Sequence, residues 1–259
     1  MSGLVTNVWR HRELLASLVR REILSRYKQS ALGPSWAILQ PLVLMLTFSM
    51  VDRFAHLPSD NVPYPLFTFS ALLPWTMFQN GVMMATPSIV TNASIVKKIY
   101  FPREVLPVSA VLVSLVDFAA SLLVLVGLFV WYGRWPGPWV AVLPLLVALQ
   151  LALGLGVGLL ASALGTFKRD VVFITFFALQ IWMYASPVIY PLSAVPERWR
   201  ALYLCNPMAG IISGYRAALL NQGAPDFRAL AVAGVISAVV LAVGYRVFKA
   251  LERWYADVL

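Results

Sequence analysis

The sequence predicts an all-α integral membrane protein of six transmembrane helices, and three observations carry that expectation. Apolar types make up 60% of the 259 residues and charged types only 12%, about half the charge of an ordinary soluble domain. Six apolar runs approach or exceed the roughly 20 residues that a helix needs to cross a bilayer core. Within each run apolarity is continuous rather than alternating, which points to helices and away from a barrel. The net charge of +9 would suit nucleic acid if it lay on one polar surface. Here the basic residues sit between the apolar runs, so no nucleic-acid partner is expected.

Residues 1–30 read as a cytoplasmic segment. The opening MSGLVTNVWRHRELL carries charges where a secretory signal needs its apolar stretch, and no cleavable leader is expected. Leu14, Leu15, Leu18 and Val19 fall on one side of a helical wheel, with Arg10, Glu13, Arg20 and Arg21 opposite. That pattern predicts an interfacial amphipathic helix lying on the membrane; a helix docked on a cytoplasmic partner gives a similar one.

Residues 31–259 read as a single six-helix membrane domain. Its spans are placed at 36 to about 57, 66 to about 90, 105–132, 139–165, 171–190 and 227–248. Asp52 and Arg53 put the far end of the first span at an interface. Orientation follows from Lys and Arg. Arg10, Arg12, Arg20, Arg21, Arg26, Lys28, Lys97, Lys98, Arg103, Lys168, Arg169, Arg246, Lys249 and Arg253 lie on one side; Arg53, Arg134, Arg198, Arg200, Arg216 and Arg228 lie on the other. Both termini are therefore expected in the cytoplasm. Gly154, Gly156 and Gly158 in the fourth span imply close helix contact. The segment at about 191–226 contains NPMAGIISGYRAALL, which is apolar but broken at Asn206-Pro207 and interrupted by Arg216. It reads either as short re-entrant helices in the outer leaflet or as a folded periplasmic loop.

The chain lacks a phosphate-binding loop and has no Gly-Lys pair, no His-Glu-x-x-His and no Gly-x-Ser-x-Gly. One cysteine and two histidines make no disulfide or metal spacing. Neither catalysis nor a cofactor is expected of this chain. A transport role then requires either an ion gradient felt by buried acids or a separate ATPase.

Asp117 is an acid deep in the third span, with Ser114 and Ser121 on its helical face. A proton relay and a helix-to-helix hydrogen bond to Gln79 or Asn80 are both open; the lack of a basic partner within a span favours the second. On the fifth span Phe173, Phe177, Gln180 and Tyr184 share a narrow arc, with Phe176 beside it and Trp182 facing the other way. Aromatic faces with an amide suit sugar rings, which stack their C–H faces and bond through their hydroxyls. Ordinary helix packing gives the same pattern. Trp36, Gln40 and Thr47 form a weaker stripe on the first span. In the second cytoplasmic connection, Lys97 and Lys98 stand beside Ile99, Tyr100 and Phe101. Membrane anchoring explains the lysines, and a docking knob explains the apolar residues as well. Lys168, Arg169 and Asp170 form a second candidate docking turn.

RREILSRYKQSALGPSWAILQPL, LFTFSALLPWTMFQN, IVKKIYFPREVLPVSAVL, FKRDV and SPVIYPLSAVPERWRALYLCNPM with the following GYR resemble the membrane subunit of ABC-type polysaccharide exporters, of the Wzm-like and TarG-like branch for O-antigen and wall teichoic acid. The stretch RYKQSALGPSW looks more like this branch than like capsule permeases. The resemblance implies a homodimer joined to two copies of a nucleotide-binding subunit, moving a lipid-linked polysaccharide outward through a channel at the dimer interface. It implies a coupling helix at 93–101, an interfacial gate helix at about 8–27, re-entrant periplasmic helices at 197–221 and sugar-facing first and fifth spans. Asn206, Pro207, Tyr215 and Arg216 are then the periplasmic gate candidates. The expectation is a non-enzymatic permease of the inner membrane, for an undecaprenyl-linked polymer. The rivals are capsule, teichoic-acid or drug export, a proton-driven carrier and a membrane-embedded transferase.

Overall fold

The computed structural model describes residues 2–28 and 32–259; the boundary expected between residues 30 and 31 lies outside the described residues. All regular structure among them is helical. The chain opens with α1 (Ser2–Arg10) and α2 (Arg12–Tyr27), followed by α3 (Trp36–Ala55) and α4 (Tyr64–Ala85). Two short helices, α5 (Ser88–Thr91) and α6 (Ala93–Lys98), lead into α7 (Val105–Tyr132). Then come α8 (Leu143–Phe167), α9 (Val171–Tyr184), α10 (Glu197–Leu204), α11 (Pro207–Leu220), α12 (Phe227–Glu252) and α13 (Tyr255–Val258).

Four helical segments are long and apolar enough to cross a bilayer: Trp36–Ala55, Val105–Tyr132, Pro138–Phe167 and Phe227–Glu252. The two remaining expected spans differ from them. α9 stops at Tyr184 after 14 residues, about 21 Å at 1.5 Å per residue, and Pro187 just beyond it cannot continue a helix. α4 has 22 residues but is buried along most of its length, packed among α3, α7, α8, α9 and α11. Its buried hydroxyls at two positions are satisfied within the helix itself. Ser70 and Thr76 return theirs to the carbonyls of Phe67 and Leu73, at 2.7 and 3.2 Å.

The expected close contact of the fourth span is with α12. A Cβ on Gly244 would lie 2.2 Å from the carbonyl oxygen of Gly156, and one on Gly156 would lie 2.6 Å from the backbone nitrogen of Leu241. Gly158 faces α4 in the same way, 2.9 Å from Cβ of Ala85. Absent side chains let the backbones meet.

Pro41 sits inside α3. With no N–H of its own, it leaves the carbonyl of Ala37 without the usual helical donor. The Ser121 hydroxyl of α7 donates to that oxygen at 3.1 Å, so a sequence-imposed defect in one helix is repaired by a helix packed against it.

The apolar face of α2 is covered by the protein itself. Leu18 is buried, with Leu14 and Leu15 beside it, in a cluster that also holds Ile89, Val96, Phe101, Val105, Leu106, Phe248 and Tyr255. The expected interfacial stripe therefore packs on the bundle, while Arg12, Glu13, Arg20 and Arg21 remain exposed. Apolar surface on α7 opens only beyond this region, at Val116, Leu123, Val126, Val130 and Trp131.

Gly244→Ala is expected to destabilise the protein by about 1–3 kcal/mol, the usual penalty for overpacking a tight contact. Gly127→Ala, which meets nothing within 4 Å, should be neutral or slightly stabilising. Thermal unfolding in detergent separates the two, and equal stability of both variants would show that the α8–α12 contact yields freely. Ser121→Ala should cost about 1 kcal/mol and should be largely rescued by Pro41→Ala, which returns the missing donor.

Candidate functional site

A groove of 480 Å³ opens between α3, α4 and α9, lined by Trp36, Leu39, Gln40, Val43, Leu44, Gln79, Gln180 and Met183. The fold thus brings together Trp36 and Gln40 from one predicted stripe with Gln180 from the other. It adds Gln79, whose side-chain oxygen accepts from Trp75 Nε1 at 3.0 Å. One indole and three amides on an otherwise apolar wall offer a stacking face with donors and acceptors around it. Thr47 is exposed on α3 and returns its hydroxyl to the carbonyl of Val43 at 2.8 Å, so it is not among the lining residues. Phe173, Phe176, Phe177 and Tyr184 are exposed on the outer surface of α9; Gln180 is the member of that arc that reaches the groove.

Trp182 faces away from the arc, as the periodicity predicts, but into the protein. Its ring meets Phe78 edge-on at 5.3 Å, and its Nε1 donates to Asn206 Oδ1 at 2.8 Å. That oxygen also caps α11 by accepting from the Met208 N–H at 3.1 Å, while Asn206 Nδ2 donates to Ser186 Oγ at 2.9 Å. Asn206 therefore staples the end of α9 to the start of α11. Pro207 is buried at the first turn of α11, where its missing N–H costs nothing. Tyr215 is fully buried, edge-on to Phe118 at 6.1 Å.

Arg216 is buried beside it and reaches the chain after α9. Its Nη1 donates to the carbonyls of Pro187 and Tyr190 at 2.6 and 3.1 Å, and its Nη2 to that of Val188 at 2.7 Å. The guanidinium lies 3.7 Å over the Phe67 ring. Three carbonyl dipoles and an aromatic face stand in for a carboxylate here. Of the four gate candidates, Asn206 and Arg216 tie α11 to the end of α9 and the chain after it, while Tyr215 packs against α7.

At the opposite, basic end, α6 carries Lys97 and Lys98, both exposed, followed by Ile99 and a completely exposed Tyr100. Phe101 departs from the expected knob: it is only 8% exposed and belongs to the apolar cluster under α2. The chain turns inward there, so Pro102 and the start of α7 bring the ring into the bundle. Lys168, Arg169 and Asp170 form an exposed turn between α8 and α9 at this same end.

The partner of Asp117 is neither Gln79 nor Asn80. Arg26 Nη1, from the last turn of α2, approaches Asp117 Oδ2 at 2.6 Å. α2 folds back alongside α7, which sets a residue outside the predicted spans against an acid within one.

A family model described as ABC-2 type transporter matches residues 13–220. The chain belongs to the ABC-2 type transporter family. Among its relatives is the O-antigen export system permease protein RfbA of Myxococcus xanthus, 34% identical over 99% of both chains. A Klebsiella pneumoniae protein of the same name is 27% identical over 95% of both. The polysialic acid transport protein KpsM of Escherichia coli is 23% identical over 92% of this chain and 93% of its own.

Within this ABC-2 chain, three ties were not legible from local pattern. Arg26 lies 91 residues from Asp117, and Lys249 lies 145 residues from Glu104, which it meets at 2.7 Å. Trp182 reads as another apolar residue until Asn206 is placed beside it. A lone intramembrane acid does signal a need for a partner, but spacing along one helix cannot say which.

The Arg26 side chain is 30% exposed and that of Asp117 5%. Asp117→Asn removes the negative charge 2.6 Å from the guanidinium, and a loss of about 1–3 kcal/mol is expected once partial solvent access is allowed for. Arg26→Met combined with Asp117→Leu should recover most of it, because an apolar pair needs no desolvation. Unfolding midpoints of the single and double variants test this; a double variant worse than both singles would mean the pair is not the unit.

Proposed function

We propose that this chain is the membrane subunit of an ATP-driven exporter that carries a lipid-linked, O-antigen-like polysaccharide across the inner membrane. The observation that carries the reading is the 34% identity, over 99% of both chains, to a protein named as an O-antigen export permease. The groove supports it chemically. Trp36 offers a stacking face, and Gln40, Gln79 and Gln180 offer amides that can bond sugar hydroxyls. The more distant likeness to a polysialic acid transporter keeps the substrate class at polysaccharide.

In this reading two copies of the chain pair with two copies of a separate nucleotide-binding subunit. Each copy contributes six membrane helices, with α4 and α9 completing the set of four long apolar segments. α10 and α11 form re-entrant helices on the outer side, where Asn206 and Arg216 hold them to α9. The exposed arc of Phe173, Phe176, Phe177 and Tyr184 lies along the channel between copies and continues the sugar-facing surface of the groove. Lys and Arg collect at the end bearing α6, which supports a cytoplasmic position for that end and for both termini. Lys97, Lys98, Ile99 and Tyr100 dock on the ATPase, with the turn at Lys168, Arg169 and Asp170 as a second contact.

The purified chain alone should neither bind nor hydrolyse ATP, and turnover should appear only with its partner subunit. Cells lacking the chain should accumulate finished polymer on the cytoplasmic side; normal surface polymer in such cells would reject the reading. Ile99→Ala with Tyr100→Ala removes the exposed apolar contact. Interface anchors of this kind commonly contribute about 2 kcal/mol or more, roughly a thirtyfold loss in affinity. Co-purification should therefore lose the ATPase subunit while the permease stays folded, whereas Lys97→Ala with Lys98→Ala should weaken binding less and mainly at low salt.

Replacing Phe173, Phe177 and Tyr184 together with leucine should slow export without reducing abundance. Each ring contributes only about 0.5–1.5 kcal/mol of stacking, so single changes should be mild. Trp182→Leu, by contrast, should lower abundance, because it breaks the tie to Asn206. An unaltered export rate in the triple variant would take the arc off the channel.

A further inference from the structure

The exposed turn at residues 97–100 is rooted in the protein by a ring of ion pairs and hydrogen bonds that the proposed function has not used. Glu104, wholly buried at the foot of α7, engages both carboxylate oxygens. Oε1 accepts from Asn7 Nδ2 of α1 at 2.9 Å, and Oε2 accepts from Lys249 Nζ of α12 at 2.7 Å. Lys249 also donates to Glu252 Oε2 at 2.8 Å. Glu252 in turn receives the backbone N–H of Arg103 at its Oε1, 3.3 Å away, and its carbonyl oxygen receives the Arg103 guanidinium. Two acids and two bases thus connect α1, the residues just after the turn, and the last turn of α12.

Apolar packing holds the same segments together, through Phe101, Val105, Leu18, Phe248 and Tyr255. Packing is non-directional and lets surfaces slide. A buried ion pair adds little net stability, because desolvation offsets attraction, but it is directional and is lost abruptly when one partner goes. Its contribution here is register. The ring is also placed where register matters, since Arg103 and Glu104 follow the exposed Tyr100 within one turn of chain.

We infer that Glu104 and Lys249 are positioning residues that make the turn, α1 and the end of α12 move as one body when the turn is pushed. The inference rests on the reading of the turn as the ATPase docking surface. It assigns to the ring the step between ATP turnover and helix movement.

The test uses the full complex with its ATPase and compares wild type with Glu104→Gln, Lys249→Gln, the double variant and Asn7→Ala. ATPase occupancy and ATP turnover are measured on the purified complex, and polymer export is measured in cells at matched abundance. The Gln variants should keep the ATPase bound and turning over while export per ATP falls roughly three- to thirtyfold, the range typical of residues along a coupling network. The double variant should be no worse than the worse single, because the two residues act through each other. Asn7→Ala, which trims one hydrogen bond from the ring, should lower the same ratio less, at wild-type abundance. An unchanged ratio in every variant overturns the inference. So does a fall in export that only tracks lost abundance or lost ATPase, with Asn7→Ala like wild type, since the ring is then only a fold tie. If the wild-type complex itself exports no polymer in an ATP-dependent way, it is the functional reading that fails.

Discussion

Asp117 carries a charge into a helix made almost entirely of Val, Leu, Ala and Phe, and a charge in that setting has to find its partner inside the protein. Much of the arrangement at the groove follows from how that demand is met. Arg26 answers it from α2, so the N-terminal helix lies along α7 instead of apart from the bundle. With α2 held there, Leu14, Leu15 and Leu18 are buried against the protein, and α3 begins beside α7, where Ser121 reaches the Ala37 carbonyl. Trp36 and Gln40 follow directly, at the lining of the groove.

The same rule of internal satisfaction operates at both ends of the bundle, with different chemistry. Glu104 is answered by an amide and an ammonium. Arg216 has carbonyl oxygens and a phenyl face instead, supplied by the irregular chain after α9 and by Phe67 of α4. Buried irregular backbone needs hydrogen-bond partners from the protein, and one guanidinium with several donors serves three carbonyls at once. A buried arginine and a broken helix, each costly alone, stabilise one another.

Function is distributed along this frame. The groove wall is apolar with one indole and three amides, groups that can stack on and hydrogen-bond a polar ligand. Among the exposed apolar side chains, two groups have different surroundings: the arc on α9, and the pair Ile99 and Tyr100 next to lysines. In the function proposed for this ABC-2 family chain, the first faces substrate and the second faces the source of energy.

Local pattern determined the class of this protein. Long apolar runs specify helices because no other single segment satisfies its own backbone in lipid, and the third and sixth spans and most of the first lie where that rule places them. The glycines of α8 likewise announce a close neighbour, although α12 could be named only from the fold. Tertiary structure decided what pairing across the chain decides: that Asp117 meets Arg26, that Phe101 turns inward while Tyr100 stays out, and that α4 is enclosed by its neighbours. It also decided that α9 ends at Tyr184, where Asn206 and Arg216 capture the chain beyond it. Periodicity along one helix reports which face is apolar. It carries no information on which distant residue will stand opposite, and burial, charge pairing and the shape of the groove all depend on that.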